Sequence, residues 1–291
     1  MRAGFRLPSA LRIARRGGMM SAMAGHPTQV DPSGDVDAPD AARGAGLVDW
    51  LFTLPFLTAF GAVLLFFDPL QRLARLSGAR PHEIVVGMLQ VSITAALRLC
   101  GTRIGVERSP ELESHRGYLL IANHQSMLDI PIVAAKLFTN YPKYVSKRSL
   151  ASWLPSISYN LRRGGNAVID RDDRGQAVAA IRELGEYAQA RNVSVVIYPE
   201  GTRSRGGQLR PFKPAGARAL LEAAPTLPVV PVTIDESWRL LRHNFFPVPF
   251  GVRVRVRLGA PIDRDEAKGL AILERAEHEI ADTLARWRSD P

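Results

Sequence analysis

The side chains best suited to chemistry are His124 and Asp129, with four residues between them in Asn123-His124-Gln125-Ser126-Met127-Leu128-Asp129. They follow the apolar run Tyr118–Ala122, which reads as a buried strand. The C-terminal ends of strands are where α/β sheets place reactive groups. A neutral imidazole held by a carboxylate can act as a general base near neutral pH. Five steps along a regular helix turn through about 500°, so the pair could meet only across a turn. Pro131 suits the first turn of a helix, which makes Asn123–Leu128 that turn and puts Asp129 at the helix entrance. The competing reading is a capping aspartate beside an incidental surface histidine.

Further charged groups stand at other strand ends. Ala167–Ile169 runs into Asp170-Arg171, where the plain alternative is a surface ion pair of little energetic weight. Val195–Tyr198 runs into Pro199-Glu200-Gly201-Thr202-Arg203-Ser204. Gly201 permits close backbone approach, Thr202 and Ser204 can donate hydrogen bonds, and Arg203 has the forked donors that match a phosphate. Lys213 adds a cation at a helix start, where an anion is favoured. Taken alone, Glu-Gly-Thr-Arg is a loop. The run Leu227–Ile234 reads as a wall of the core.

The elements that must position these groups alternate. Strand-like runs occur at 103–108, 118–122, 143–146, 167–169, 193–198, 229–234 and 252–258, and helical patterns at 176–191, 214–224 and 263–288. Asp263 and Glu266 are spaced as an N-cap with its box partner. This predicts an α/β fold, a largely seven-stranded mixed sheet flanked by helices. Arg253, Arg255 and Arg257 put three cations on one strand face. The expected explanation is an edge strand guarded by charge; the alternative is contact with anionic headgroups or an acidic carrier protein.

Composition narrows the function. The 291 residues carry a net charge of +10, which favours an anionic partner. One cysteine excludes an intramolecular disulfide or a thiolate metal cluster within one chain, and the six histidines have no metal-ligand spacing, so neither metal nor cofactor is expected. Without an aromatic–basic recognition motif, nucleic-acid binding is not expected. No Gly-x-Ser-x-Gly elbow is present, against a serine hydrolase.

Residues 1–46 read as a disordered tail with a basic start and too few large apolar residues to pack. Residues 47–101 read as a membrane-associated helical hairpin, and residues 102–291 as the catalytic domain. Trp50–Phe67 is an uncharged run of eighteen residues, at the threshold for a membrane span. Glu83–Cys100 is apolar but amphipathic. The pair would lie in one leaflet or span; the alternative is two helices packed on the core. If the first segment spans, Arg72, Arg75 and Arg80 put the following chain in the cytoplasm.

Together, Asn123-His124 with Asp129, then Ile169-Asp170-Arg171, then Pro199-Glu200-Gly201-Thr202-Arg203, then Val229-Val230-Pro231-Val232 resemble, in that order, the glycerolipid acyltransferase family, specifically its bacterial 1-acyl-glycerol-3-phosphate branch. Lys147 resembles a common family lysine between the first two blocks. Ala167-Val168 depart from the bulkier pair often found there. The resemblance implies acyl transfer from acyl-CoA or acyl carrier protein to the hydroxyl of lysophosphatidic acid, at a membrane, on the cytoplasmic face (the inner membrane in a bacterium). It implies His124 as base and Asp129 as its orienting carboxylate. It implies substrate binding by Asn123, Lys147, Arg171, Glu200, Gly201, Thr202 and Arg203, with Arg171 and Arg203 on the phosphate and Glu200 either ordering its loop or touching the glycerol. Other acceptors (glycerol-3-phosphate, another lysophospholipid, a lyso-aminolipid), a thioester or lipid hydrolase, and a non-catalytic membrane protein are the competing functions.

Overall fold

The computed structural model describes residues 44–170, 172–265 and 269–289. The expected tail through residue 43, Arg171 and Glu266 therefore lie outside the described residues. Seven strands form one sheet: β1 (Arg103–Arg108), β2 (Leu119–Ala122), β3 (Lys143–Lys147), β4 (Ala167–Ile169), β5 (Val195–Ile197), β6 (Val229–Asp235) and β7 (Arg253–Leu258). Their order is β1-β7-β6-β2-β5-β3-β4. Every neighbouring pair is parallel except β6 with β7. The expected mixed seven-stranded sheet is thus what forms.

Both faces of the sheet are covered, which is why β2 and β5 are continuous apolar runs with no polar alternation, and why β6 stays apolar until Thr233 and Asp235 at its C-terminal end. Alternate residues serve the two faces. Leu120 and Ala122 pack toward α1 (Leu47–Leu76), α2 (Ala79–Ala96) and α3 (Asp129–Lys136). Leu119 and Ile121 pack toward α5 (Arg174–Arg191), α6 (Pro214–Ala223) and α7 (Leu270–Ser289). The short α4 (Ile157–Arg163) precedes β4 and has no counterpart among the expected helices.

Two expectations are corrected. β7 is not an edge strand: it lies between β1 and β6. Its arginines meet acids, Arg255 approaching Asp235 at 4.0 Å and Arg257 reaching Glu107 and Glu279, each at 3.8 Å. Edge position depends on topology, which an arginine alternation does not encode. The last helix begins at Leu270, not Asp263. The Asp263 carboxylate accepts from the Asp265 backbone N–H at 3.0 Å, an Asx turn in place of a helix cap.

Helix α1 packs on α2 and is tied down at two places, to the loop before β7 and to Ser156 before α4. Asp49 accepts from the Phe250 N–H at 2.7 Å and Thr53 from the Val248 N–H at 2.9 Å. Farther along, the Leu64 carbonyl accepts from Ser156 Oγ at 2.6 Å, and Asp68 from the Ser156 N–H at 2.7 Å. Thr53, Phe56, Leu64, Phe67 and Gln71 form its buried face. The opposite face is apolar too: Leu51, Leu54, Leu65 and Phe66 are each more than 60% exposed. Both α1 and the segment 79–100 are long and apolar enough to cross a membrane.

Candidate active site

The turn between β2 and α3 brings His124 and Asp129 together. Residues 123–128 are irregular, α3 starts at Asp129, and its carboxylate bends back over the turn. Asp129 Oδ2 lies 2.8 Å from His124 Nδ1 and accepts from the backbone N–H groups of Gln125 at 2.7 Å and Ser126 at 2.8 Å. Oδ1 accepts from Ser237 Oγ at 2.5 Å. Asp129 is fully buried. A carboxylate with four polar partners cannot rotate freely; an ionised carboxylate only accepts, so the neutral tautomer that suits this contact is the one with its proton on Nδ1. The imidazole stacks on Tyr198, with ring centroids 4.1 Å apart and 21° between the planes. Stacking fixes the ring plane, and the carboxylate fixes its rotation within that plane.

Two residues expected to touch substrate direct their polar atoms to the backbone. Asn123 is 1% exposed, and its amide is consumed by β6, accepting from the Ile234 N–H and donating to the Ile234 carbonyl, both at 2.8 Å. Glu200 is 2% exposed. It accepts from the His124 N–H at 2.6 Å and from the Arg210 N–H at 3.3 Å. Of the two roles open to Glu200, ordering the loop is the one its contacts match. Burial pushes its carboxyl up to about 7, against the opposing pull of those N–H donors. The loop closes further where the Ser204 N–H meets the His124 carbonyl at 2.8 Å.

His124, Lys147, Thr202 and Arg203 line one cavity of about 390 Å³. Its remaining walls are mostly apolar and come from several elements: Phe60 of α1, Leu89 and Ile93 of α2, Leu128 and Ile130 beside the base, and Leu154, Ile157 and Leu161 around α4. It is a hydrocarbon-lined space with an imidazole and two cations on its wall. Gly201 bends the loop at φ +71°, and a side chain there would meet Lys213 Nζ at 3.3 Å, so a third cation stands beside the bend. Arg171 lies outside the described residues. Among the described residues, no three His, Cys, Asp or Glu side chains gather as a metal site would require.

Sequence reasoning missed Ser237 and Tyr198. Tyr198 carried a signal, since it is the last residue before the Pro199-Glu200 turn at a strand end. Ser237 carried none: one hydroxyl, 108 positions from its partner, is visible only in three dimensions.

Residues 103–235 match the family model described as Acyltransferase. The 1-acyl-sn-glycerol-3-phosphate acyltransferase of Escherichia coli K12 is 33% identical over 146 residues, covering 50% of this chain and 58% of that one. The mouse enzyme of that name, alpha form, is 26% identical over 171 residues, covering 58% of this chain and 59% of its own. The chain thus spans under two thirds of the length of these relatives. In structure, the crystallised 1-acyl-sn-glycerophosphate (LPA) acyltransferase of Thermotoga maritima aligns with a TM-score of 0.66 at 21% identity, over 84% of this chain and 97% of that one. That likeness is one of fold. The matches agree with the family resemblance carried by the four ordered sequence blocks.

Proposed function

We propose that this chain, whose residues 103–235 match the acyltransferase family, moves an acyl group from acyl-CoA or acyl carrier protein to the sn-2 hydroxyl of 1-acyl-glycerol-3-phosphate, giving phosphatidic acid. The observation that carries the reading is the Asp129-held imidazole on the wall of an apolar cavity that Lys147 and Arg203 also line. Nε2 of His124 takes the hydroxyl proton as that oxygen attacks the thioester carbonyl. The tetrahedral intermediate expels the thiolate, and the imidazolium returns the proton to sulfur. Asp129 holds the tautomer and stabilises the imidazolium, as in a triad whose serine is replaced by the substrate hydroxyl. Lys147, Thr202 and Arg203 hold the phosphate, with Arg171 as a further candidate, and the apolar walls take acyl chain.

The purified protein, given a panel of acceptors on vesicles, is expected to acylate lysophosphatidic acid. Arg203→Ala should raise KM for that acceptor by about 10- to 100-fold, the weight of a hydrogen bond to a charged group. Product from another acceptor but none from lysophosphatidic acid would overturn the acceptor. Release of free fatty acid alone would make the protein a hydrolase.

Residues 47–101 serve as the membrane-associating part and residues 102–291 as the catalytic part. Because α1 is tied at two places to loops of the catalytic part, its outward apolar face lies in one leaflet, with the catalytic part on the cytoplasmic side where such thioesters occur. Each large apolar side chain withdrawn from water contributes about 1.5–3 kcal/mol. Replacing Leu51, Leu54, Leu65 and Phe66 together by glutamine is therefore expected to move the protein from the vesicle fraction to the soluble fraction in a flotation assay. Unchanged flotation would defeat the placement.

A further inference from the structure

A three-residue stretch at the exit of β6 reaches the dyad from behind, and it contains none of the expected site residues. Asp235 is fully buried. Its Oδ1 accepts from Arg288 Nη2 at 2.8 Å and from Gln125 Nε2 at 3.2 Å, and its Oδ2 from Arg288 Nε at 3.3 Å. Arg288 belongs to the last turn of α7. The same Nη2 also donates to the Gly207 carbonyl at 2.7 Å, which Gln125 Nε2 approaches at 3.3 Å. Two residues past Asp235, Ser237 Oγ meets Asp129.

These bonds have a common direction. Gln125 lies between His124 and Ser126, within the turn whose N–H groups grip Asp129. Gly207 lies in the middle of the loop that runs from Tyr198, past Glu200, to Lys213. It has φ +77°, and a side chain on it would meet Trp238 Nε1 at 2.7 Å, so its carbonyl is held in place by packing as well. Arg288 therefore ties together the turn carrying the base and the loop carrying Thr202 and Arg203. Its forked guanidinium suits this, because it spans a carboxylate and a carbonyl at once. A lysine ammonium could keep the charge but not both bonds in fixed geometry.

We propose that Ser237, Asp235 and Arg288 are positioning residues for the reaction: Ser237 sets the Asp129 carboxylate, and Arg288, through Asp235, sets the distance between the base and the phosphate-holding loop. The C-terminal helix is thereby part of the active site, although it lies beyond residue 235, where the family match ends. The proposal rests on His124 acting as the base.

The test is steady-state acyl transfer from acyl-CoA to lysophosphatidic acid on vesicles, comparing wild type with Ser237→Ala, Arg288→Ala, Arg288→Lys and His124→Ala. Each sample is normalised to folded protein by its thermal melt. Ser237→Ala and Arg288→Ala are expected to lower kcat by about tenfold or more, with KM for the acceptor unchanged within about twofold. Arg288→Lys should fall between wild type and Arg288→Ala. Added guanidinium should restore kcat several-fold in Arg288→Ala and do nothing for wild type. Wild-type kcat in both alanine variants, or a loss that tracks the melt and resists guanidinium, would overturn the proposal. Activity retained by His124→Ala would instead overturn the reading of the base. If Arg288→Ala does not fold, Ser237→Ala and Arg288→Lys carry the same decision.

Discussion

Replacing His124 by alanine is expected to lower kcat by about 10²–10⁴-fold, the usual weight of a positioned general base. The fold should be unaffected. His124 holds its loop through backbone groups, which alanine keeps: its N–H on Glu200 and its carbonyl on Ser204. Asp129 separates into two effects. In Asp129→Asn the amide oxygen can still face Nδ1 and the two backbone N–H groups, while the NH₂ group points at Ser237, whose hydroxyl can accept. That variant should fold and lose most of its kcat, because no charge remains to stabilise the imidazolium. Asp129→Ala also strands the buried N–H groups of Gln125 and Ser126. Unsatisfied buried donors cost about 1–3 kcal/mol each, so its melting temperature should fall as well. Single-turnover acyl transfer and thermal melts on the three variants separate charge from geometry. A His124→Ala protein retaining more than about a tenth of wild-type kcat would remove the histidine from the chemistry.

The spacing of His124 and Asp129 allowed a contact only across a turn and left a capping aspartate as the plainer reading; the four ordered blocks together made the pair legible, and the following proline set where the helix begins. The sheet was legible because strands buried on both faces leave uninterrupted apolar runs, as in 119–122 and 195–197. The partners of polar groups were not legible. Asn123 and Glu200 stand among the motif residues and have ligand-binding chemistry, yet the backbone takes their polar atoms. For Asn123 the bond is made 111 positions away in the chain. Strand order was equally hidden: Arg253, Arg255 and Arg257 look like an edge, but the return of β7 antiparallel to β6 and the addition of β1 beyond it put them inside. Local chemistry is encoded locally, whereas the satisfaction of that chemistry is a property of topology.

The same distinction makes Glu83 and Lys143 the most consequential pair outside the site. Neither stands out in the sequence: one opens an apolar helix, the other a strand. Folded, their side chains are 2% and 6% exposed and form an ion pair at 2.9 Å. The second Glu83 oxygen is approached by Arg80 at 3.1 Å and Arg191 at 3.8 Å. Burial pulls the Lys143 ammonium below its ordinary range, and Glu83 opposes that pull. The pair bolts α2, which supplies Leu89 and Ile93 to the cavity wall, to β3, which carries Lys147 at its other end. Glu83→Gln leaves Lys143 among Arg80 and Arg191 without the carboxylate. Breaking one partner of a buried pair costs about 3–5 kcal/mol, so a loss of that size in urea unfolding is expected. The loss should shrink as pH rises. Glu83 opposes the burial that lowers the folded Lys143 pKa, so without it that pKa falls further below the ordinary 10.5, the folded variant binds fewer protons than the folded wild type, and its stability climbs more steeply as pH rises toward the unfolded value. The double variant Glu83→Leu with Lys143→Met should recover most of what either single change loses, because no fully buried charge is then orphaned: Arg80 and Arg191, which also lose Glu83, are 44% and 35% exposed and reach water. If Glu83→Gln lost less than about 1 kcal/mol, or its loss did not change between neutral pH and about pH 10, the hairpin would owe its seat on the sheet to apolar packing alone.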